Sequence, residues 1–317
     1  MRNKSLNTLK LSSVALAVSF FAASRTTVLA QGQNAWRVPY VYEIAQGEWQ
    51  GPRLADGQPD VRGHWSNTIG NHNNITDPQG RFPLDPPSAN EKPRDTRAPS
   101  RLVLPADGEF PLQPWARAKQ QEFMSNLYSA TRPEYVEPLA RCAPGGPTKS
   151  FLWHGYEIRQ YPNYVLFLFD SGTRLIHLDK TGEAAPLDED IKLWNGDSRG
   201  WWEGNTLHVQ VRNHNGKARF GRTGEFVSEH ALITERFIFD NDGERYRYEA
   251  DYVDDTVLTE PIRFAIPSRR ITEDTPQDGW NNITFAVNYP GGVTRGIEAY
   301  ERTCVENNGS HGDVSIY

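Results

Sequence analysis

The sequence predicts a mainly β fold, an antiparallel barrel or else a β-sandwich, behind a long proline-rich irregular arm. Three observations carry that expectation. Downstream of residue 150, apolar and polar residues alternate over short runs, the period of a half-buried strand. Turn residues separate those runs at intervals of roughly 8–12 positions, the spacing of all-β sandwiches and barrels. Upstream, twelve prolines from Pro39 to Pro114 disfavour both helix interiors and central strands.

Taken in order, residues 1–30 read as a secretion signal. Arg2, Lys4 and Lys10 give a positive start, Leu11 to Ala23 a short apolar run, and Val28-Leu29-Ala30 a small-residue cleavage site. The run falls short of the roughly 20 residues a permanent membrane helix needs. A soluble periplasmic or secreted protein without membrane insertion is expected. Cleavage would leave 30 basic residues against 40 acidic ones, a balance that argues against nucleic acid and anionic membrane surfaces as partners.

Residues 31–150 form the irregular arm, with one short helix expected from Pro114 to about Tyr128, where Trp115, Ala116, Ala118 and Phe123 sit among helix formers. The arm is expected to lie over the surface of a β domain spanning residues 151–305, with a tail at 306–317. Strand signals cover Tyr156–Asp170, Arg174–Leu178 and Trp201–Arg212 around the Gly204-Asn205 turn. They continue through Ala231–Phe239 and Glu244–Val253, flanking the Asp240-Asn-Asp-Gly243 hairpin turn, and then Val257–Ile266, Ile283–Asn288 and Val293–Tyr300. Strands do not alternate with long helices, so a parallel α/β sheet is not expected.

Chemistry concentrates in Asn195–Leu207, which holds Asp197, Arg199, Trp201, Trp202 and Glu203 spaced by glycines. The strand that follows sorts by parity. Leu207, Val209 and Val211 share one face; His208, Gln210 and Arg212 share the other, with His214 continuing it. Glu235 and Arg236 fall on opposite faces, and Tyr246, Tyr248 and Tyr252 on one. If polar faces turn into a barrel cavity, Glu203, His208, His214 and Glu235 are candidates for acid–base roles. Asp197 and Arg199 would then orient a ligand, and Trp201, Trp202 and Tyr248 would stack on it. If those faces look at solvent, the charges pair across strands instead.

Other machinery has little support. A His-Glu-x-x-His pair, a phosphate loop and a dinucleotide fingerprint are all missing from the sequence. The eight histidines show no tight metal spacing, and Asp240–Gly243 lacks the downstream Glu of a calcium loop. Neither a metal nor an organic cofactor is expected. Cys142 and Cys304 are the two cysteines, and in an oxidising compartment they form either a disulfide or two separate buried thiols.

Several phrases resemble, as a set, a large group of exported bacterial proteins that mostly have no assigned function. They are Gln58-Pro-Asp-Val-Arg-Gly-His-Trp65, Arg141-Cys-Ala-Pro-Gly-Gly-Pro147, Gly196-Asp-Ser-Arg-Gly-Trp-Trp-Glu-Gly-Asn-Thr-Leu207, Glu235-Arg-Phe237 and Tyr300-Glu-Arg-Thr-Cys304. The resemblance spans most of residues 58–305. It implies a lipocalin-like barrel and pairing of Cys142 with Cys304. Leu232 stands where such proteins often carry histidine. In size and character the chain also resembles the cyclase of cyanobacterial scytonemin biosynthesis, which closes a ring on an indole-derived keto acid. The expected function is therefore a cofactor-independent cyclase, isomerase or lyase acting on an aromatic or apolar small molecule. An exported binding or carrier protein for such a ligand is the alternative.

Overall fold

Alternation in the sequence becomes a closed sheet. The computed structural model describes residues 44–271, except positions 46, 67–73, 79, 88, 90, 92, 153–154, 170–171 and 180–186. The signal segment 1–30, the expected strands at 283–288 and 293–300, Cys304 and the tail 306–317 lie outside the described residues.

The strands are β1 (Gly63–Ser66), β2 (Leu102–Leu104), β3 (Gly155–Tyr161), β4 (Tyr164–Phe169), β5 (Gly172–Leu178) and β6 (Asp197–Glu203). β7 (Thr206–Arg212), β8 (Leu232–Phe239), β9 (Arg245–Val253) and β10 (Ile262–Ile271) follow, with one α-helix, α1 (Pro114–Ser125). The ring runs β1-β3-β4-β5-β6-β7-β8-β9-β10 and returns to β1, a closed nine-strand barrel, while β2 adds to the start of β10. Pairing is antiparallel except between β5 and β6, which run parallel through Ile176↔Ser198 and Leu178↔Gly200. The barrel expectation holds, and this single parallel pair is its departure from an antiparallel ring.

The arm does more than cover the barrel. Its residues 63–66 are the strand that closes the ring, pairing with β3 on one side and with β10 on the other. The Pro-rich flanks hid a strand only four residues long. The helix appears close to its expected place, with Pro114 at its first turn, where the missing N–H costs nothing.

Among the described residues, buried aromatic and aliphatic side chains crowd the inner face. Parity sends Ile233, Phe237 and Phe239 of β8 and Tyr246, Tyr248, Ala250 and Tyr252 of β9 inward, all buried. Phe151, on the turn Lys149–Leu152, plugs the centre with no exposed surface. Its ring lies 5.2 Å from Phe167, 5.3 Å from Phe237 and 4.5 Å from Tyr248. A barrel of this girth is just wide enough for side chains to fill. Around Phe151, the interior that the sequence allowed as a ligand cavity is occupied by the protein's own rings. Among the described residues, no helix is long and apolar enough to cross a membrane.

Trp65 closes the far end of this core from β1. Its ring packs edge-on against Phe239 at 5.6 Å and Tyr246 at 5.1 Å, and its Nε1–H donates to the Val61 carbonyl at 3.0 Å. Because it sits on the closing strand, Trp65→Ala should cost about 3–5 kcal/mol through the cavity it leaves. Urea unfolding of the two proteins measures this, and an unchanged midpoint would contradict it.

Candidate functional site

Two charged residues break the apolar parity of the inward faces. Arg174 on β5 and Glu235 on β8 both point into the core and are almost wholly buried. Arg174 Nη1 donates to Glu235 Oε1 at 2.8 Å and to the Pro147 carbonyl at 3.1 Å. Its Nη2 donates to Glu235 Oε2 and, at 3.0 Å, to Ser198 Oγ. Burial acts against the guanidinium charge, yet the Glu235 carboxylate beside it raises the Arg174 pKa above its ordinary value.

From Glu235 a chain of hydroxyls leads outward. Tyr248 donates to Glu235 Oε1. Its proton being committed there, the Tyr248 oxygen accepts from Thr148 Oγ at 2.9 Å, and Thr148 in turn accepts from Tyr252 at 2.7 Å. All three O–H bonds point toward Glu235. Burial raises the pKa of both tyrosines, with the Glu235 charge adding to it, so they remain protonated.

Tyr252 and Thr148 reach a recess at the end of the barrel where β7 finishes and β8 begins. Gly146, Trp194, His214 and Arg219 also line it. Its enclosed volume is about 20 Å³, enough for one or two waters. Two loops form its walls. Gly146 has φ 86°, and a Cβ there would stand 2.5 Å from Ala218 Cβ, so only glycine permits the approach of residues 145–149 to residues 213–220. The first loop is pinned by the buried ion pair of Lys149 with Glu137, whose other oxygen accepts from the Leu139 N–H at 2.8 Å.

His214 enters the recess because β7 ends in a left-handed residue. Asn213 has φ 56° and its Nδ2 donates to the carbonyls of Asp188 at 2.7 Å and Ile191 at 3.1 Å. That turn breaks the parity that placed His214 on the face of His208. His214 Nε2 lies 2.9 Å from the Ala231 carbonyl and must donate to it, which leaves Nδ1 as an acceptor in the neutral ring. Burial lowers the His214 pKa; the Ala231 bond and Asp254 act in the opposite sense.

The other expected site residues lie elsewhere. Trp201, Glu203 and His208 are on the outer face, with Trp201 stacked on His208 at 5.4 Å and His208 3.4 Å from the well-exposed Glu203. Asp197 is buried and accepts both bonds from Arg199 Nε at 2.9 Å, an internal pair of β6. Trp202 points inward at the opposite end, against Phe239 at 5.9 Å, its Nε1 donating to Gln58 at 2.9 Å. Of the named residues, the structure gathers His214, Glu235 and Tyr248 around one site and separates the rest. Arg174, Thr148, Tyr252, Trp194 and Arg219 belong to it and were not singled out. For Arg174 a signal existed, since it shares parity with Ile176. Among the described residues no cluster of His, Cys, Asp or Glu could hold a metal ion. No protein-family model, curated protein or solved structure matches the chain.

Removing one partner of a buried ion pair leaves a bare charge. Arg174→Met should therefore cost about 3–5 kcal/mol, and adding Glu235→Leu should recover much of it. A double-mutant cycle by urea unfolding tests this, and additive losses would refute the coupling. His214 gives a pH dependence of definite sign. With its folded pKa below the ordinary 6.5, the unfolded chain takes up the proton first, so this contribution is complete above that value and lost as pH falls below it. His214→Gln should shrink the fall in unfolding midpoint between about pH 7.5 and pH 5.5. Asp240, pushed up to about 6 chiefly by burial, works with the opposite sign and is common to both proteins.

Proposed function

We propose that the chain is an exported, cofactor-independent acid–base catalyst, a cyclase, isomerase or lyase, whose reaction takes place at the recess and not in the lumen. The observation that carries this reading is the unbroken hydroxyl chain joining the recess to the Arg174–Glu235 pair. With every O–H directed inward, the Tyr252 oxygen offers an acceptor to the recess. A proton arriving there moves on as each hydroxyl hands over its own, through Thr148 and Tyr248 to Glu235. The reverse passage returns it at another position. His214 Nδ1 is a second acceptor, neutral at pH 7 because of its burial. Two proton acceptors beside one ligand suit removal of a proton next to a carbonyl followed by ring closure or elimination.

Trp194, Phe220, Val227 and Ile233 make much of the wall apolar, which suits an aromatic ligand whose ring occupies the open mouth. That wall also favours the second reading, a carrier that holds such a ligand unchanged. Pairing of Cys142, which ends the turn Pro138–Arg141 beside the recess loop, with Cys304 is part of the same proposal.

Turnover separates catalyst from carrier. Purified protein is incubated with aromatic 2-keto acids, indole-derived ones first, and products are followed by chromatography and mass spectrometry. His214→Gln and Tyr252→Phe should each lower the rate by roughly 10²-fold while the circular dichroism spectrum is kept. Unchanged rates in both variants would remove the recess from the chemistry. Recovery of every ligand intact would leave the carrier.

A further inference from the structure

A buried cation ordinarily has a buried anion beside it, because removing charge from water costs several kcal/mol that only a partner offsets. Among the described residues, the buried cations at this end of the barrel include Lys149, Arg174 and Arg219. Lys149 has Glu137 and Arg174 has Glu235. Arg219, only 6% exposed, forms an ion pair with neither: among the described residues no carboxylate lies within ion-pair distance of it, and Glu137 and Glu134 act on it only from further off. Its guanidinium lies 3.8 Å over the ring of Phe123, and Nη2 donates to the Glu134 carbonyl. Its other nitrogens have no hydrogen-bond partner among the described residues. Burial pulls its pKa down to about 10, so it is still charged at pH 7.

Arg219 lines the recess, and none of the other lining residues is acidic. We infer that Arg219 anchors a carboxylate of the recess ligand, the anion completing for Arg219 what Glu137 and Glu235 supply to Lys149 and Arg174. The small enclosed volume of the recess agrees, since it admits a group as small as a carboxylate but not an aromatic ring. The proton acceptors Tyr252 and His214 then face the carbons next to that carboxylate. This inference rests on the reading of the recess as a ligand site and names the class of ligand: a small carboxylic acid with its apolar part directed outward.

Benzoate and its uncharged counterpart benzamide are suitable probes, measured by titration calorimetry on the full chain. Benzoate should bind at least roughly tenfold more tightly than benzamide, the worth of a charge-assisted bidentate contact. Arg219→Gln should remove that preference, and Arg219→Lys should restore part of it. Should Arg219→Gln fail to fold, thermal shifts of the unaltered protein decide: benzoate raises the unfolding temperature more than equal benzamide. Equal binding of the two probes, or no benzoate binding at about 10 mM, overturns the inference. So does an Arg219→Gln protein that keeps the preference. A protein that binds benzoate through Arg219 yet converts no keto acid upholds this inference while defeating the catalytic reading.

Discussion

The arrangement of this barrel end depends on the buried pair of Arg174 and Glu235. A charge at either position alone would be untenable in a core of phenylalanine and tyrosine rings. The bidentate geometry fixes β5 against β8 across the two strands between them, and it consumes Ser198 and the Pro147 carbonyl as further acceptors. Because the Pro147 carbonyl is one of them, the loop of residues 145–149 is tied to the core. Because Tyr248 donates to Glu235, the orientation of every hydroxyl beyond it follows. The recess is thus shaped at one end by a charge pair more than one side chain away from it.

Much of the fold was legible because strands advertise themselves by parity and their turns by glycine, asparagine and aspartate. The Asp240–Gly243 hairpin, the Gly204-Asn205 turn and the shared face of Tyr246, Tyr248 and Tyr252 are as the sequence reads, and the structure turns that face inward. β1 was not legible, since four residues amid prolines give no period to detect. Its identity as a strand comes from partners about 90 and 200 residues away. The parallel step from β5 to β6 was hidden for a similar reason, because the connection before β6 is long enough to return the chain to either direction.

The site was legible in part. Glu235 and Tyr248 sit on apolar faces, where a polar residue needs a reason to exist. Glu203 and His208 share the opposite parity, and once the face of Leu207, Val209 and Val211 is inside they must be outside. His214 reached the recess only through the left-handed turn at Asn213, which no periodicity records. The attraction of the Trp201–Glu203 stretch was density of reactive side chains, and density alone says nothing about which way a strand is facing.

The short strand from the arm has a consequence for how the molecule assembles. β3 to β10 can pair largely in sequence order, yet the ring cannot shut until β1 finds β3 and then β10, roughly two hundred positions beyond it in the chain. Contacts so distant carry a large loop-closure cost and place such topologies among the slow folders. Until that last seam forms, β3 and β10 are open sheet edges able to pair with other chains. A nascent copy therefore spends its vulnerable period with the two edges of one sheet unjoined, and whatever shields them in that interval governs its yield.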